Sequence, residues 1–184
     1  NMFEVNRQAL VIGGGLAGMT AALSIARQGF AVYLVEREAQ LGGNLRHIFI
    51  GAEGADPQAL LKQTIDEVAA EPRIHVLTES RVKEVSGYPG QFSSIVEGAH
   101  GERIELQHGV TLVTTGGQQI TPHEYRYGQH ERVVTQRELE ERLREPGFAR
   151  GLNGKTVVMI QCVGSRDEQH PYCSRVCCTE AIKN

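Results

Sequence analysis

Apolar residues along this chain arrive in short dense runs broken by glycine, and strand-like and helix-like periods alternate from the start. Gln8 to Ile12 is an apolar run that ends in glycines, the pattern of a first strand in a parallel sheet. Leu16 to Gln28 then carries Ala17, Met19, Ala21, Ala22, Leu23, Ile25 and Ala26, which predicts a largely buried helix with small residues against the sheet. Gly29 stops it. Ala31 to Val35 predicts the second strand, ending at Glu36 and completing a βαβ unit.

Residues 37–56 read as a glycine-rich connection containing Leu41-Gly42-Gly43-Asn44. Pro57 to Ala70 predicts a helix, with proline in its first turn and Leu60, Leu61, Ile65 and Val68 at helical spacing. Ile74 to Leu77 returns to the sheet. Alternating runs at 81–85, 92–97 and 103–107, separated by Gly87, Pro89-Gly90 and His100-Gly101, predict an antiparallel meander over about residues 80–108. Val110 to Gly117 is a further core strand running into glycines. A polar stretch over 118–134, a helix from about Gln136 to Glu145 and a strand from Lys155 to Gln161 follow. The class is α/β, a parallel sheet with an inserted antiparallel meander. Residues 1–150 are expected to form the first domain, and 151–184 the start of a second that is cut short.

Composition narrows the chemistry. The 40% hydrophobic and 22% charged content is that of a globular domain, and 184 residues suffice for one buried core. A net charge of −3, dispersed basic residues and few aromatics give no electrostatic basis for nucleic-acid binding. No stretch approaches the roughly 20 apolar residues of a membrane span, so no membrane insertion is expected and the cytoplasm is the default location. Asn1 before Met2 reads as the remnant of an added tag. Cys173 to Asn184 has a helical composition with no C-cap glycine or following strand, so the natural protein is expected to continue beyond Asn184.

The glycines after the first strand carry the first chemical signal. In Gly13-Gly14-Gly15-Leu16-Ala17-Gly18, the first glycine of the GxGxxG pattern permits a tight turn and the second lets a pyrophosphate approach the backbone. The third lets helix and strand pack closely, and the helix N-terminus offers unpaired N–H groups to phosphate. Glu36 at the end of the second strand is placed to accept hydrogen bonds from ribose hydroxyls. A carboxylate there repels a 2′-phosphate, which favours FAD or NAD over NADP. The strand ending Thr114-Thr115-Gly116-Gly117 resembles that of two-dinucleotide-binding disulfide oxidoreductases, where an Ala-Thr-Gly-like motif occurs. That resemblance favours FAD. Thr114 stands where the motif has alanine.

All four cysteines, Cys162, Cys173, Cys177 and Cys178, lie in the last 23 residues with the spacing C-x10-C-x3-C-C. Cys173 and Cys177 are expected on one face of a helix, with Cys162 approaching from a strand end and Arg166 and Arg175 nearby. The spacing matches neither the ferredoxin run nor a zinc ribbon. It leaves open a metal or cluster site, a redox-active dithiol and inert thiols.

Longer words add a resemblance that covers nearly the whole chain. Gln161-Cys-Val-Gly-Ser-Arg166, Pro171-Tyr-Cys-Ser-Arg-Val-Cys-Cys178 and Glu180-Ala-Ile-Lys-Asn184 closely resemble the A-type subunits of heterodisulfide reductase and their homologues. Leu41-Gly-Gly-Asn44 and Ile74 to Phe92 match the same family. The resemblance implies a Rossmann-like FAD-binding domain and an unusually spaced [4Fe-4S] site ligated by Cys162, Cys173, Cys177 and Cys178. It implies an FAD-dependent oxidoreductase that passes electrons between flavin and the cluster, with other subunits of an electron-transfer complex as partners. The residues expected at the flavin nucleotide are Gly13, Gly14, Gly15, Leu16, Ala17, Gly18, Glu36, Arg37, Gly43, Asn44, Val82, Thr114, Thr115 and Gly116. The chain departs from the archaeal members in lacking cysteines between Gly43 and Ile74 and ferredoxin-type cysteines between Phe92 and Val110.

Two rival functions remain at this level. One is an NAD(P)H-dependent disulfide oxidoreductase using a cysteine pair, against which Cys177 and Cys178 are adjacent. The other is a zinc-stapled binding module without catalysis. Elsewhere the residues read blandly. His123 and His130 are expected in a solvated loop, Ser165 lacks a nucleophile context, Tyr125 and Tyr127 pack a loop, and Glu138 to Arg144 form a solvated helix face.

Overall fold

The computed structural model describes residues 5–51, 54–173 and 175–183. Asn1, Met2 and Asn184 lie outside these. The chain divides into two units. The first comprises residues 1–46 and 58–116, the second 47–57 and 117–184.

The first unit is built on a parallel sheet of β1 (Ala9–Ile12), β2 (Val32–Val35), β3 (Ile74–Leu77) and, after a long excursion, β7 (Val110–Val113). Its order is β3-β2-β1-β7, with Ala9 opposite both Val32 and Val110. The strands alternate sides at a period of two, and both sides are covered. Ala9, Val11, Val32 and Leu34 join Met19, Ala22, Leu23 and Ala26 of α1 (Leu16–Arg27) and Leu61 and Val68 of α2 (Pro57–Ala70) in one core cluster. Leu60, expected with that stripe, is 46% exposed.

Leu10 and Val35 point the other way, where Ile12, Tyr33 and Leu77 also pack, and meet the antiparallel meander. The meander comprises β4 (Arg81–Tyr88), β5 (Gln91–Glu97) and β6 (Arg103–His108). Its inward side brings Val96 and Leu106 to that second cluster, with Val82 packed against it. A polar pair is buried in the same sheet. Ser94 and His108 are both fully buried, with the serine oxygen 2.7 Å from His108 Nε2. The Nδ1 of His108 lies 3.1 Å from the Val110 carbonyl. A carbonyl only accepts, so Nδ1 carries the proton and Nε2 accepts from the Ser94 hydroxyl.

The second unit contains α3 (Gln136–Leu143), α4 (Phe148–Gly151) and α5 (Cys177–Lys183). Thr135 caps α3 through a capping box. Its hydroxyl accepts the Glu138 N–H, and the Glu138 carboxylate accepts the Thr135 N–H. Two expectations fail here. The Lys155–Gln161 strand does not form, and Val157 to Ile160 are exposed with irregular backbone. A strand requires a neighbour to satisfy its ladder, and among the described residues none pairs with this run. The face from Glu138 to Arg144 is not wholly solvated either, because Glu140 is only 2% exposed.

Glu140 accepts the N–H groups of Phe49 and Ile50, at 2.7 and 2.9 Å, and the Lys183 ammonium at 2.8 Å. Lys183 also donates to the Ile50 carbonyl. The stem of Arg144 brings its guanidinium over the Phe49 ring, 3.8 Å from the centroid.

Candidate functional site

The turn from β1 into α1 is shaped by glycines for plain steric reasons. Gly13 has φ of +110°, and a Cβ there would stand 2.5 Å from the Thr114 carbonyl oxygen. At Gly18 a Cβ would fall on the Gly13 carbonyl, so helix and strand approach as only glycine allows. At Gly15 a Cβ would meet nothing within 4 Å, and this position faces open space. Gly15 is the N-cap of α1 without a side-chain cap, and no acidic residue lies in the first turn. The first-turn N–H groups of α1, starting at Leu16, Ala17 and Gly18, have no intrahelical acceptors and are offered outward with the positive end of the dipole.

Three segments gather on this turn. Glu36, following β2, is 7% exposed, and its carboxylate accepts the Gly14 N–H at 2.7 Å and the Glu38 N–H at 2.8 Å. Gly42 donates its N–H to the Gly14 carbonyl, forming a parallel bridge opposite Gly15. This sets Gly43 and Asn44, both exposed, at the start of a short 3-10 turn over 43–47. A Cβ at Gly43 would approach the Gly15 Cα to 3.2 Å. The third segment is the end of β7, where the Thr114 N–H extends the ladder to the Ile12 carbonyl at 2.8 Å. Thr115 and Gly116 follow, both exposed.

Val82 is tied in less directly. The Ser80 N–H donates to the Glu36 carbonyl and the Glu79 N–H to the Glu38 carbonyl, so β4 starts beside the Glu36 strand end. The Val82 side chain packs on the meander cluster. Arg37 is exposed and pairs with Glu38 at 3.2 Å. Residues expected at a dinucleotide thus come together from four stretches of the sequence.

This geometry suits the diphosphate and ribose of a dinucleotide. The turn has an open face at Gly15, outward amide donors and a buried carboxylate whose oxygens each accept one backbone N–H and keep capacity for a hydroxyl. Glu36 has no salt-bridge partner among the described residues.

The cysteines are arranged differently from the expectation. Cys173 precedes α5 and does not share its face, because the helix begins only at Cys177. Arg175, between them, has φ of +62°, and its N–H lies 3.3 Å from the Cys173 sulfur. The Arg166 guanidinium is taken by the Pro171 carbonyl. Cys162 is half-buried with φ of +63°, whereas the other three thiols are exposed. None is in a disulfide. Among the described residues no three His, Cys, Asp or Glu side chains gather into a group that could hold a metal ion. As placed, the four thiols do not fit a cube, which needs them to converge on one centre.

The bland expectations fare variously. Tyr127 packs its loop and donates its hydroxyl to Glu138 at 2.9 Å, while Tyr125 is exposed. The His130 ring accepts the Arg132 N–H. No helix among the described residues is long and apolar enough to cross a membrane. Sequence reasoning missed the Glu140–Lys183 pair and the Thr114 hydroxyl contacts. Each joins residues too distant in sequence for any local pattern to show.

Comparison with known proteins adds the family context. Residues 8–52 match the family described as FAD dependent oxidoreductase. Over 98% of its length the chain is 27% identical to an A-type iron-sulfur subunit of the CoB--CoM heterodisulfide reductase of Methanopyrus kandleri. Over the same share it is 29% identical to the A-type subunit of the H(2):CoB-CoM heterodisulfide,ferredoxin reductase of Methanothermobacter marburgensis. It covers 41% of each, so the chain spans about two-fifths of the length of these relatives. The first alignment runs over 275 positions, whereas 98% of 184 residues is about 180, so it includes roughly 95 positions without a counterpart here.

Among solved structures, L-proline dehydrogenase from P. horikoshii matches with a TM-score of 0.52 at 24% identity, over 61% of this chain and 22% of its own. Bacillithiol disulfide reductase from Bacillus cereus matches with 0.50 at 17% identity, over 65% of this chain and 44% of its own. These two likenesses concern the fold alone. The fold is Rossmann-like, its opening βαβ segment matches the FAD dependent oxidoreductases, and along nearly all of its length the chain is similar in sequence to the heterodisulfide reductase A-type subunits.

Proposed function

We propose that the first unit binds FAD and that the chain serves an FAD-dependent oxidoreductase in electron transfer, as part of a protein of the heterodisulfide reductase A kind. The observation that carries this reading is the buried Glu36 carboxylate joined to the Gly14 N–H in the open GxGxxG turn. The α1 N-terminus would take the pyrophosphate, Glu36 the ribose hydroxyls, and Gly43, Asn44, Thr115 and Gly116 would line the nucleotide, flanked by Arg37 and the β4 start at Val82. Bound FAD supplies an isoalloxazine that exchanges electron pairs on one side and single electrons on the other. The protein contributes orientation and tuning.

The wider parts of the reading are proposals of the same kind. Other electron-transfer subunits are the expected partners, since the relatives are named as subunits of heterodisulfide reductases. A cytoplasmic location is part of the same proposal. Residues 1–150 are proposed as the flavin domain and 151–184 as the start of another. Cys162, Cys173, Cys177 and Cys178 are proposed as [4Fe-4S] ligands. The support is the sequence resemblance around these cysteines and the name of the Methanopyrus kandleri relative as an iron-sulfur subunit. Ligation there requires the segment to rearrange.

Titration of the apo-protein with FAD and with NAD, followed by flavin fluorescence and calorimetry, tests the central proposal. Tighter binding of FAD is expected. A preference for NAD would overturn the flavin assignment and favour the disulfide-reductase alternative.

A further inference from the structure

A peptide group is planar and trans, so its C=O and N–H point in opposite directions and turn together. The peptide joining Gly13 to Gly14 is held at both of these ends by side chains. The Gly14 N–H donates to Glu36 Oε2 at 2.7 Å. At the other end the Thr114 hydroxyl lies 3.0 Å from the Gly13 carbonyl oxygen. The hydroxyl also reaches the Ile12 carbonyl at 2.9 Å, but that oxygen already accepts the Thr114 N–H. A hydroxyl has one proton to give, and Gly13 is the acceptor that gains most from sharing it. The two holding residues stand at the ends of β2 and β7, the two neighbours of β1 in the sheet.

The peptide they hold has little rigidity of its own. Both flanking residues are glycine, and Gly13 sits at φ of +110°. Rotation of this peptide would aim the Gly13 carbonyl dipole toward the mouth of the turn, where a diphosphate is repelled by oxygen and attracted by N–H.

We propose that Thr114 is a positioning residue for the dinucleotide turn: with Glu36 it clamps the Gly13–Gly14 peptide from both ends, fixing the amide orientation that a diphosphate requires. The proposal rests on the dinucleotide reading and deepens it. Thr114 acts here through Gly13, by its hydroxyl and not by its bulk. Its methyl group is dispensable to the role.

The test uses the full chain with Thr114→Val, which keeps the shape and removes the hydroxyl, and Thr114→Ser, which keeps the hydroxyl. ADP and FAD are titrated against each, and amide exchange of Gly14 is followed by NMR without ligand. The Thr114→Val substitution is expected to weaken ADP and FAD by a similar factor, about three- to tenfold, and to speed Gly14 exchange. The Thr114→Ser variant should restore both. Combined with Glu36→Gln, the loss should depart from the sum of the single losses, because both act on one peptide. If Thr114→Val does not fold, Thr114→Ala replaces it. Wild-type affinity and Gly14 protection in the hydroxyl-free variant, or failure of Thr114→Ser to restore them, would overturn the proposal while leaving the dinucleotide reading intact. A folded wild-type chain that binds neither ADP nor FAD would instead overturn the reading and the proposal together.

Discussion

Glu140 and Lys183 stand 43 residues apart in sequence and 2.8 Å apart in the structure, an ion pair between a buried carboxylate and a half-buried ammonium that joins α3 to the helix carrying Cys177 and Cys178. Burial opposes ionisation of Glu140. The bonds from Lys183 and from the Ile50 and Phe49 N–H groups outweigh it, so its pKa lies below the ordinary carboxylate value. For Lys183 burial again opposes the charge, and the bonds to Glu140 and Glu180 outweigh it, raising the pKa.

Removing Lys183 leaves the buried Glu140 carboxylate without its counter-ion, held only by the Phe49 and Ile50 N–H groups. Lys183→Met is expected to cost about 3–5 kcal/mol of stability in the second unit, read by urea unfolding. Because the folded-state pKa of Glu140 is depressed, its contribution is present above the unfolded value of 4.5 and is lost as pH falls below it. The raised pKa of Lys183 gives the opposite limb, with stability present below 10.5 and lost as pH rises through the folded value. A Lys183→Met protein as stable as wild type at neutral pH would contradict the role assigned to the pair.

Removing Glu36 strips the Gly14 and Glu38 N–H groups of their acceptor and removes the partner proposed for the ribose. Glu36→Ala is expected to weaken FAD binding by about 1.5–3 kcal/mol, measured by fluorescence titration. Unchanged affinity would show that the carboxylate serves the turn alone.

Gly18 packs against the Gly13 carbonyl with no space for a methyl group. Gly18→Ala must push α1 from β1, and a loss of about 1–3 kcal/mol in unfolding free energy is expected from such overpacking. Gly15→Ala is the control, since its Cβ meets open space. It should fold normally and lose nucleotide affinity, which separates packing from ligand approach.

His108 is kept neutral by its burial, while the Ser94 hydroxyl at Nε2 and the Val110 carbonyl at Nδ1 fix its tautomer. Burial lowers its pKa from the ordinary 6.5, against a smaller opposing effect of the bond to Val110. The unfolded chain therefore binds a proton that the folded chain refuses. Stability of the first unit is full above 6.5 and declines as pH falls below it toward the folded value. A His108→Phe protein should lose this pH dependence in thermal melts between about pH 7 and 5.

For the cysteines, anaerobic reconstitution with iron and sulfide is expected to load about four irons per chain, the content of one [4Fe-4S] cube, and to fail in each Cys→Ala variant. Unchanged iron content in the Cys162 or Cys178 variant would remove that residue from the ligand set.

What could be foreseen and what could not divide along physical lines. The βαβ unit and α2 were legible because their burial repeats at local periods, and the places of Gly13, Gly18 and Glu36 at the turn because they follow from spacing. The hydroxyl of Thr114 reaches an oxygen 101 residues away, and composition says nothing of such a contact. Glu140 is misleading in sequence, since a glutamate in a charged run reads as solvated until Lys183 is found beside it. The run from Val157 to Ile160 has strand composition. Composition alone does not make a strand where no partner offers a ladder.

The pairing of Ile12 with Val113 has a consequence for synthesis. β1 is translated about a hundred residues before one of its two neighbours, β7. At about 5–20 residues per second, its edge waits on the order of five seconds or longer for β7 to be made. The meander shortens the delay after synthesis, since three successive hairpin-linked strands collapse locally and draw β7 back toward β1. Until then an apolar edge of Ala9 to Ile12 is open to other chains. Changes that slow the meander should therefore lower soluble yield more than they lower the stability of the finished protein.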